Sequence, residues 1–260
     1  MVIKMAQNDV WVGTWAEIPT AYVTNVVSKA GLDFTIADME HGILTFETIQ
    51  SMVFAAHSEN KKMFVRVPAI DEVWVLRALD TGCDGIVFPQ VTCADMIKDI
   101  IRLSFFPPQG CRGFNPYVAA GGYTGAGQQM VAKENARIAL IVLLEGKEIL
   151  EQIQEILSFP QVDVIYIGQY DLSAALGIPG DVNNQKVIQI MKEVVCKIRS
   201  AGKRAGCMAQ GISDAIEYIN MGFNFITYKV DTGVLFESMH SFVKGVKAET
   251  LQIPPKEKIV

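Results

Sequence analysis

Short continuous apolar runs alternate with longer amphipathic segments along the whole chain. The pattern is clearest in the middle, where residues 141–144 (Ile-Val-Leu-Leu) and Val162–Ile167 each break at a polar or flexible position. Glu145 follows the first run; Gly168 and then Asp171 follow the second, with Asp171 at the head of the next helix. Residues 148–157 between them read as a helix. Continuous apolar runs joined by helices mark parallel strands covered on both faces. The same reading predicts strands over 10–15, 33–38, 63–67, Gly85–Phe88, 204–208 and 225–228. It predicts helices over 19–30, Phe46–Ser58, 71–81, 93–105, 185–201, Ile212–Met221 and 233–246. Gly31, Gly82, Gly202 and Gly222 fall where helices should stop in a left-handed conformation. Eight such units predict a closed (β/α)₈ TIM barrel forming one domain over residues 1–260. An open doubly wound sheet is the alternative, but no GxGxxG follows the first strand. Residues 107–127 form a long Gly- and Pro-rich loop, and 173–180 read as an insertion before the helix at 185. Residues 249–260, with Pro254-Pro255, read as an extended tail.

Composition narrows the picture. A 260-residue chain that is 50% hydrophobic can bury one large core. A net charge of -5 with scattered Lys and Arg argues against nucleic acid or an anionic membrane as partner. The five cysteines show no CxxC, and Cys83, Cys93, Cys196 and Cys207 fit small buried hydrophobes. With no signal peptide and no long apolar run, the expectation is a cytoplasmic protein.

Chemistry in parallel α/β folds gathers where strands end. Glu145 and Asp171 leave successive strands on the same side of the sheet, and neighbouring strands lie about 4.8 Å apart. Two converging carboxylates without Cys or His suit a hard divalent cation with open positions. The alternative is that Glu145 starts a helix and Asp171 caps one. His41 ends the second strand and is the one of three histidines placed to act as a base; it could equally be a hydrogen-bonded strand-end residue. Arg66 stands in an apolar run and must meet an anion, either a structural carboxylate or a substrate carboxylate or enolate. Lys229 ends the last strand, as a solvated rim residue or as a Schiff-base amine. No Ser-His-Asp order, Walker loop or zinc spacing occurs.

Several motifs occur together in one order. They are Gly31-Leu32-Asp33-Phe34 leading to Asp38-x-Glu40-His41, Val65-Arg66-Val67-Pro68, and Leu79-Asp80-x-Gly82. Then come Phe106-Pro107-Pro108-x-Gly110-x-Arg112-Gly113, Glu145, Ile167-Gly168-x-x-Asp171-Leu172-Ser173, and Val230-Asp231-Thr232. Over nearly its whole length the chain resembles the HpcH/HpaI family of metal-dependent (class II) pyruvate aldolases. The resemblance implies cleavage or formation of 2-keto-3-deoxy-4-hydroxy acids through a metal-stabilised pyruvate enolate. Glu145 and Asp171 resemble the family's ligands for Mg, Mn or Co. Arg66 resembles its substrate-oxygen ligand and His41 its proton-transfer residue. Asp80 resembles the carboxylate supplied to a neighbouring subunit's histidine. The backbone from Gly168 through Gln169 and Tyr170 to Asp171 would hold the pyruvate carboxylate. A homohexamer with its last helix exchanged between subunits is also implied, with a 2-keto acid and an aldehyde as small-molecule partners. The chain departs from the family at Leu143, where Gln is common, at Gln169-Tyr170, where smaller residues are common, and at Lys229. These positions surround the substrate. Citrate-forming or macrophomate-type chemistry, a lysine-dependent aldolase and a non-catalytic keto-acid-binding protein are the alternatives.

Overall fold

A computed structural model describes residues 9–125, 127–146 and 151–250. Eight strands lie side by side in chain order: β1 (Trp11–Ala16), β2 (Phe34–Asp38), β3 (Lys62–Arg66), β4 (Gly85–Phe88), β5 (Ala139–Leu144), β6 (Val162–Ile167), β7 (Arg204–Ala209) and β8 (Phe225–Val230). All pairs are parallel, and β8 returns to pair with β1, which closes the barrel and excludes the open sheet. The chain is the (β/α)₈ barrel that the alternation predicts.

The barrel interior and its outer wall are separate apolar layers. Inside, Phe34, Phe64 and Phe225 interlock, with the Phe34 and Phe225 rings stacked 4.0 Å apart between centroids. Such filling needs small residues facing large ones. A Cβ on Gly13 would stand 2.4 Å from the Phe34 ring, and one on Gly206 would stand 2.5 Å from that of Tyr166. Outside the strands, a second layer is shared with α2 (Phe46–Ser58), α3 (Glu72–Asp80), α4 (Asp95–Ser104), α6 (Ile153–Leu157), α7 (Gln169–Ala175), α8 (Gln185–Ser200) and α9 (Ile212–Met221), while α1 (Ala21–Lys29) and α5 (Gly127–Arg137) add no side chain to it. The last helix, α10 (Asp231–Thr250), stands apart from this layer, with Phe236, Met239 and Phe242 each more than half exposed.

Two helices escape the sequence pattern. α5 carries almost no apolar stripe, and its buried positions are Met130 and Glu134. It is tied to its surroundings by charge, Arg137 lying 3.5 Å from Asp84 and Glu134 lying 3.8 Å from Arg112, so hydrophobic periodicity is silent there. α7 takes in Ser173 to Ala175, which read as part of an insertion. Cys196 is exposed rather than buried, because it points off the outer face of α8. Residues 148–150 of the predicted fifth helix and 251–260 of the predicted tail lie outside the described residues. Among the described residues no helix is long and apolar enough to cross a membrane.

Candidate active site

A cavity of about 530 Å³ opens at the carboxyl ends of the strands, where barrel chemistry is found. His41, Arg66, Leu143, Glu145, Gly168, Gln169, Tyr170 and Asp171 all line it. Asp80 does not: it ends α3 on the outer wall and lines a different pocket.

Arg66 is the anchor of the cavity floor. It is the last residue of β3, beside Asp38 at the end of β2. Its Nε donates to Asp38 Oδ1 at 2.8 Å, and Nη2 donates to Asp38 Oδ2. Nη1 lies 3.0 Å from Glu40 Oε2, and the guanidinium sits 4.6 Å over the Trp15 ring. Burial would loosen the Arg66 proton, but Asp38, then Glu40 and Glu145, outweigh it and hold the cation more tightly than usual. Asp38 is 1% exposed and also accepts the N–H groups of Glu40 and His41. That turn closes with Gly42 N–H on Asp38 O at 3.1 Å, where a Cβ would come within 2.3 Å of that oxygen. The turn sets His41 on the cavity wall with its ring largely in solvent, Nε2 4.0 Å from Glu40 Oε2.

The two candidate ligands meet across one strand pair. Leu144 of β5 is in register with Ile167 of β6, and Gly168 N–H donates to Leu144 O at 2.9 Å. Glu145 and Asp171 then approach the same point: a Cβ on Gly168 would lie 3.2 Å from Glu145 Cγ and 3.7 Å from Asp171 Oδ2. Asp171 sits in the first turn of α7 rather than capping it, and Gly168 holds the cap position. Burial pushes the Glu145 carboxyl above the usual carboxylate range, and the charges of Asp171 and Glu40 push the same way. The Gln90 N–H and Arg66 oppose that rise without cancelling it. Glu40 Oε2 has no hydrogen-bond donor, since the Arg66 contact is ionic without hydrogen-bond geometry. The mouth therefore holds oxygen donors with surplus negative charge, a donor set that fits a hard divalent cation. Among the described residues no three His, Cys, Asp or Glu side chains close around one point.

Several residues near this centre were not singled out from sequence. Gln90 follows β4 in a left-handed conformation, φ 54°, uncommon for a residue with a side chain. Its N–H reaches Glu145 Oε2 at 2.5 Å, and its amide donates to Glu40 Oε1 at 2.7 Å. The strand-end argument that found Glu145 applies equally to Phe88-Pro89-Gln90. Trp15 donates to Tyr166 Oη and Thr227 Oγ1 inside the barrel, so its ring is fixed beneath Arg66. The Gln169 amide turns into the wall, donating to Tyr218 Oη at 3.0 Å and accepting from Met208 N–H at 3.2 Å. Tyr170 stays at the rim, where its hydroxyl accepts from the Gln210 amide at 3.1 Å. Lys229 ion-pairs with Glu237 of α10, a contact that holds its ammonium protonated above the usual lysine range. A Schiff-base amine needs the reverse.

Known proteins resemble the chain over most of its length. The family model described as HpcH/HpaI aldolase/citrate lyase matches residues 12–238. A 2-keto-3-deoxy-L-rhamnonate aldolase from Escherichia coli is 29% identical over 88% of this chain and 86% of its own. A hydroxypyruvate/pyruvate aldolase from Roseovarius nubinhibens is 28% identical over 90% of this chain and 91% of its own. Among solved structures, an HpcH/HpaI aldolase/citrate lyase family protein from Burkholderia cenocepacia superposes with a TM-score of 0.87 at 28% identity, covering 92% of this chain and 95% of that one. With the barrel, the paired carboxylates and the anchored arginine in place, the chain belongs to the HpcH/HpaI aldolase/citrate lyase family.

Proposed function

We propose that this chain is a divalent-cation-dependent aldolase that cleaves and forms the C3–C4 bond of 4-hydroxy-2-keto acids. The observation that carries the reading is the convergence of Glu145 and Asp171 from adjacent strands in front of a pinned Arg66. Mg, Mn or Co would be held by those two carboxylates and would supply Lewis acidity toward the keto acid's oxygens.

The chain's own groups account for the remaining work. Arg66 presents fixed positive charge where the keto oxygen gains negative charge during cleavage. His41 takes the C4 hydroxyl proton as the C3–C4 bond breaks. The bond's electron pair moves toward the keto oxygen, the aldehyde leaves, and protonation at C3 yields pyruvate. The first N–H groups of α7 have no acceptor within the helix and are available to the substrate carboxylate. Leu143 and the Trp15 ring form apolar walls, while Tyr170 and Gln210 at the rim face the aldehyde portion.

The reading extends to assembly as a homohexamer with α10 exchanged between subunits. It is supported by the apolar face of α10, where Leu235, Phe236, Met239, Phe242 and Val243 are exposed, more than a soluble monomer normally leaves uncovered. Asp80, away from its own cavity, would then serve a neighbour's His41.

The test is removal and return of the cation. Stripping with EDTA should abolish pyruvate methyl proton exchange and keto-acid cleavage, and Mn or Mg should restore both. Full activity in EDTA together with borohydride trapping on Lys229 would sink the proposal. Light scattering on the same sample reads the hexamer directly.

A further inference from the structure

Arg112 is a fully buried charge outside the cavity, with a side chain 0% exposed. The loop after α4 doubles back to bring it there. Cys111 N–H donates to Arg102 O at 2.7 Å, and Arg112 N–H donates to Phe105 O at 2.9 Å. Gly110 permits the return, since a Cβ there would lie 2.4 Å from Phe105 O. The guanidinium stacks 4.5 Å over the Phe106 ring and donates from Nη2 to Asp80 Oδ1 at 2.9 Å. Its Nη1 lies 3.8 Å from Glu134, and neither Nη1 nor Nε makes a hydrogen bond. A buried ion pair this sparsely bonded is a weak source of stability, because well-packed apolar side chains often do as well in its place. Its one well-formed bond acts on Asp80, whose second oxygen accepts no hydrogen bond from any described residue. Asp80 lines an outer pocket of about 410 Å³ with Phe46, Tyr117 and Tyr123 around it.

We propose that Arg112 is a positioning residue, fixing Asp80 in the orientation that meets the partner subunit's His41. The proposal rests on the reading that Asp80 and His41 act across a subunit boundary. Burial pushes the Asp80 carboxyl up, Arg112 opposes this, and Glu134 adds to it. Arg77 on the same helix and Glu47 of α2 are the other charged groups around that pocket. Without the Arg112 contact, Asp80 would take up a proton at higher pH.

The experiment uses the assembled, Mn-loaded enzyme and four variants: Arg112→Lys, Asp80→Asn, their double variant and Glu134→Gln. Each is followed by pyruvate methyl hydrogen–deuterium exchange across pH, by melting temperature and by assembly mass. Arg112→Lys keeps the charge but loses the planar fork. It should slow exchange by about tenfold, the lower end of what loss of an orienting partner costs, and move the acid limb to higher pH. In the Asp80→Asn background the same change should add almost nothing, because the two residues act as one unit. Glu134→Gln removes the competing carboxylate and should move the acid limb to lower pH, a readout that survives if the arginine variant fails to fold. Equal losses from Arg112→Lys in both backgrounds, or acid limbs that stay in place, overturn the positioning role. An Asp80→Asn enzyme that exchanges at the parental rate instead overturns the shared Asp80–His41 pair itself.

Discussion

Replacing Arg66 with alanine separates two roles that this one side chain combines. Its first role is structural. Asp38 is 1% exposed and takes a bond from Arg66 on each oxygen, so the variant leaves a buried carboxylate without its cation, with the Glu40 and His41 N–H groups still on Oδ1. Breaking such a pair typically costs about 3–5 kcal/mol. For a domain of this size that corresponds to a fall of about 6–20 °C in Tm. The second role, the one we propose, is electrostatic, at the oxygen where charge develops. Loss of one such donor costs about 2.7–4 kcal/mol of transition-state stabilisation, or about 10²–10³ in kcat, with KM rising less. Arg66→Lys keeps a point charge but cannot grip Asp38 with two parallel bonds, so it should recover only part of each loss. The assay pairs a melting curve with pyruvate methyl proton exchange, normalised to folded protein, at a temperature where every variant is native. A variant that melts like the parent refutes the ion-pair argument. A variant that melts low but exchanges normally per folded molecule refutes the catalytic one.

The charge state of the mouth makes further outcomes measurable. The Glu145 carboxyl titrates above its unfolded range, so its ionisation opposes folding, and stability is lost as pH rises through its folded value. Glu145→Gln should therefore raise Tm in EDTA at neutral pH while weakening Mn binding by calorimetry, and the Tm gain should vanish in acid; a lower neutral Tm would contradict this. Asp84 behaves oppositely: burial raises its carboxyl, but His57 and Lys62 outweigh that and bring it down to about 2. It contributes about 2 kcal/mol above pH 4 that fades as pH falls toward 2; an Asp84→Asn variant whose Tm matches the parent at pH 6 would exclude that contribution. Lys229→Met should leave cleavage within about an order of magnitude of the parent, since a salt-bridged rim lysine supplies no nucleophile; complete loss together with borohydride trapping in the parent would reverse that view. Phe242→Glu on the exposed face of α10 should lower the assembly mass in light scattering, and an unchanged mass would argue that this face is free in solution.

The barrel was legible because its signal is redundant. The strands are buried over most of their length and read as largely apolar segments, and Gly31, Gly82, Gly202 and Gly222 all adopt the positive φ that stops the preceding helix. Glu145 and Asp171 could be placed for a related reason: strand ends in such a fold share one side, so Glu145, directly after one apolar run, and Asp171, in the first helical turn after the next, both come to the mouth. α5 was not legible, because it is secured by Arg137 on Asp84, by Glu134 beside Arg112 and by one buried methionine, and ion pairs have no period in sequence. Gln90 follows a strand end as Glu145 does, but the left-handed conformation that turns its N–H to Glu145 and its amide to Glu40 has no mark in sequence.

Arg66 shows the limit most clearly. The sequence offers a choice between a structural carboxylate and a substrate anion, and the fold rejects the choice. Asp38 takes two bonds from the guanidinium and so fixes its plane, while the same group lines the cavity 4.6 Å above Trp15. A charge that must stay put while substrate charge changes beside it needs a permanent partner, because an unpinned arginine would have to reorganise during the reaction. The buried aspartate that a stability argument would count as a liability is thus the condition for the arginine's use. The same logic separates Arg66 from Lys229, whose partner Glu237 lies on an exposed helix rather than on a neighbouring strand. Of the two pairs, the first is built into the barrel wall, and that placement, rather than the charge itself, is the ground on which we propose the arginine for the chemistry and leave the lysine at the rim.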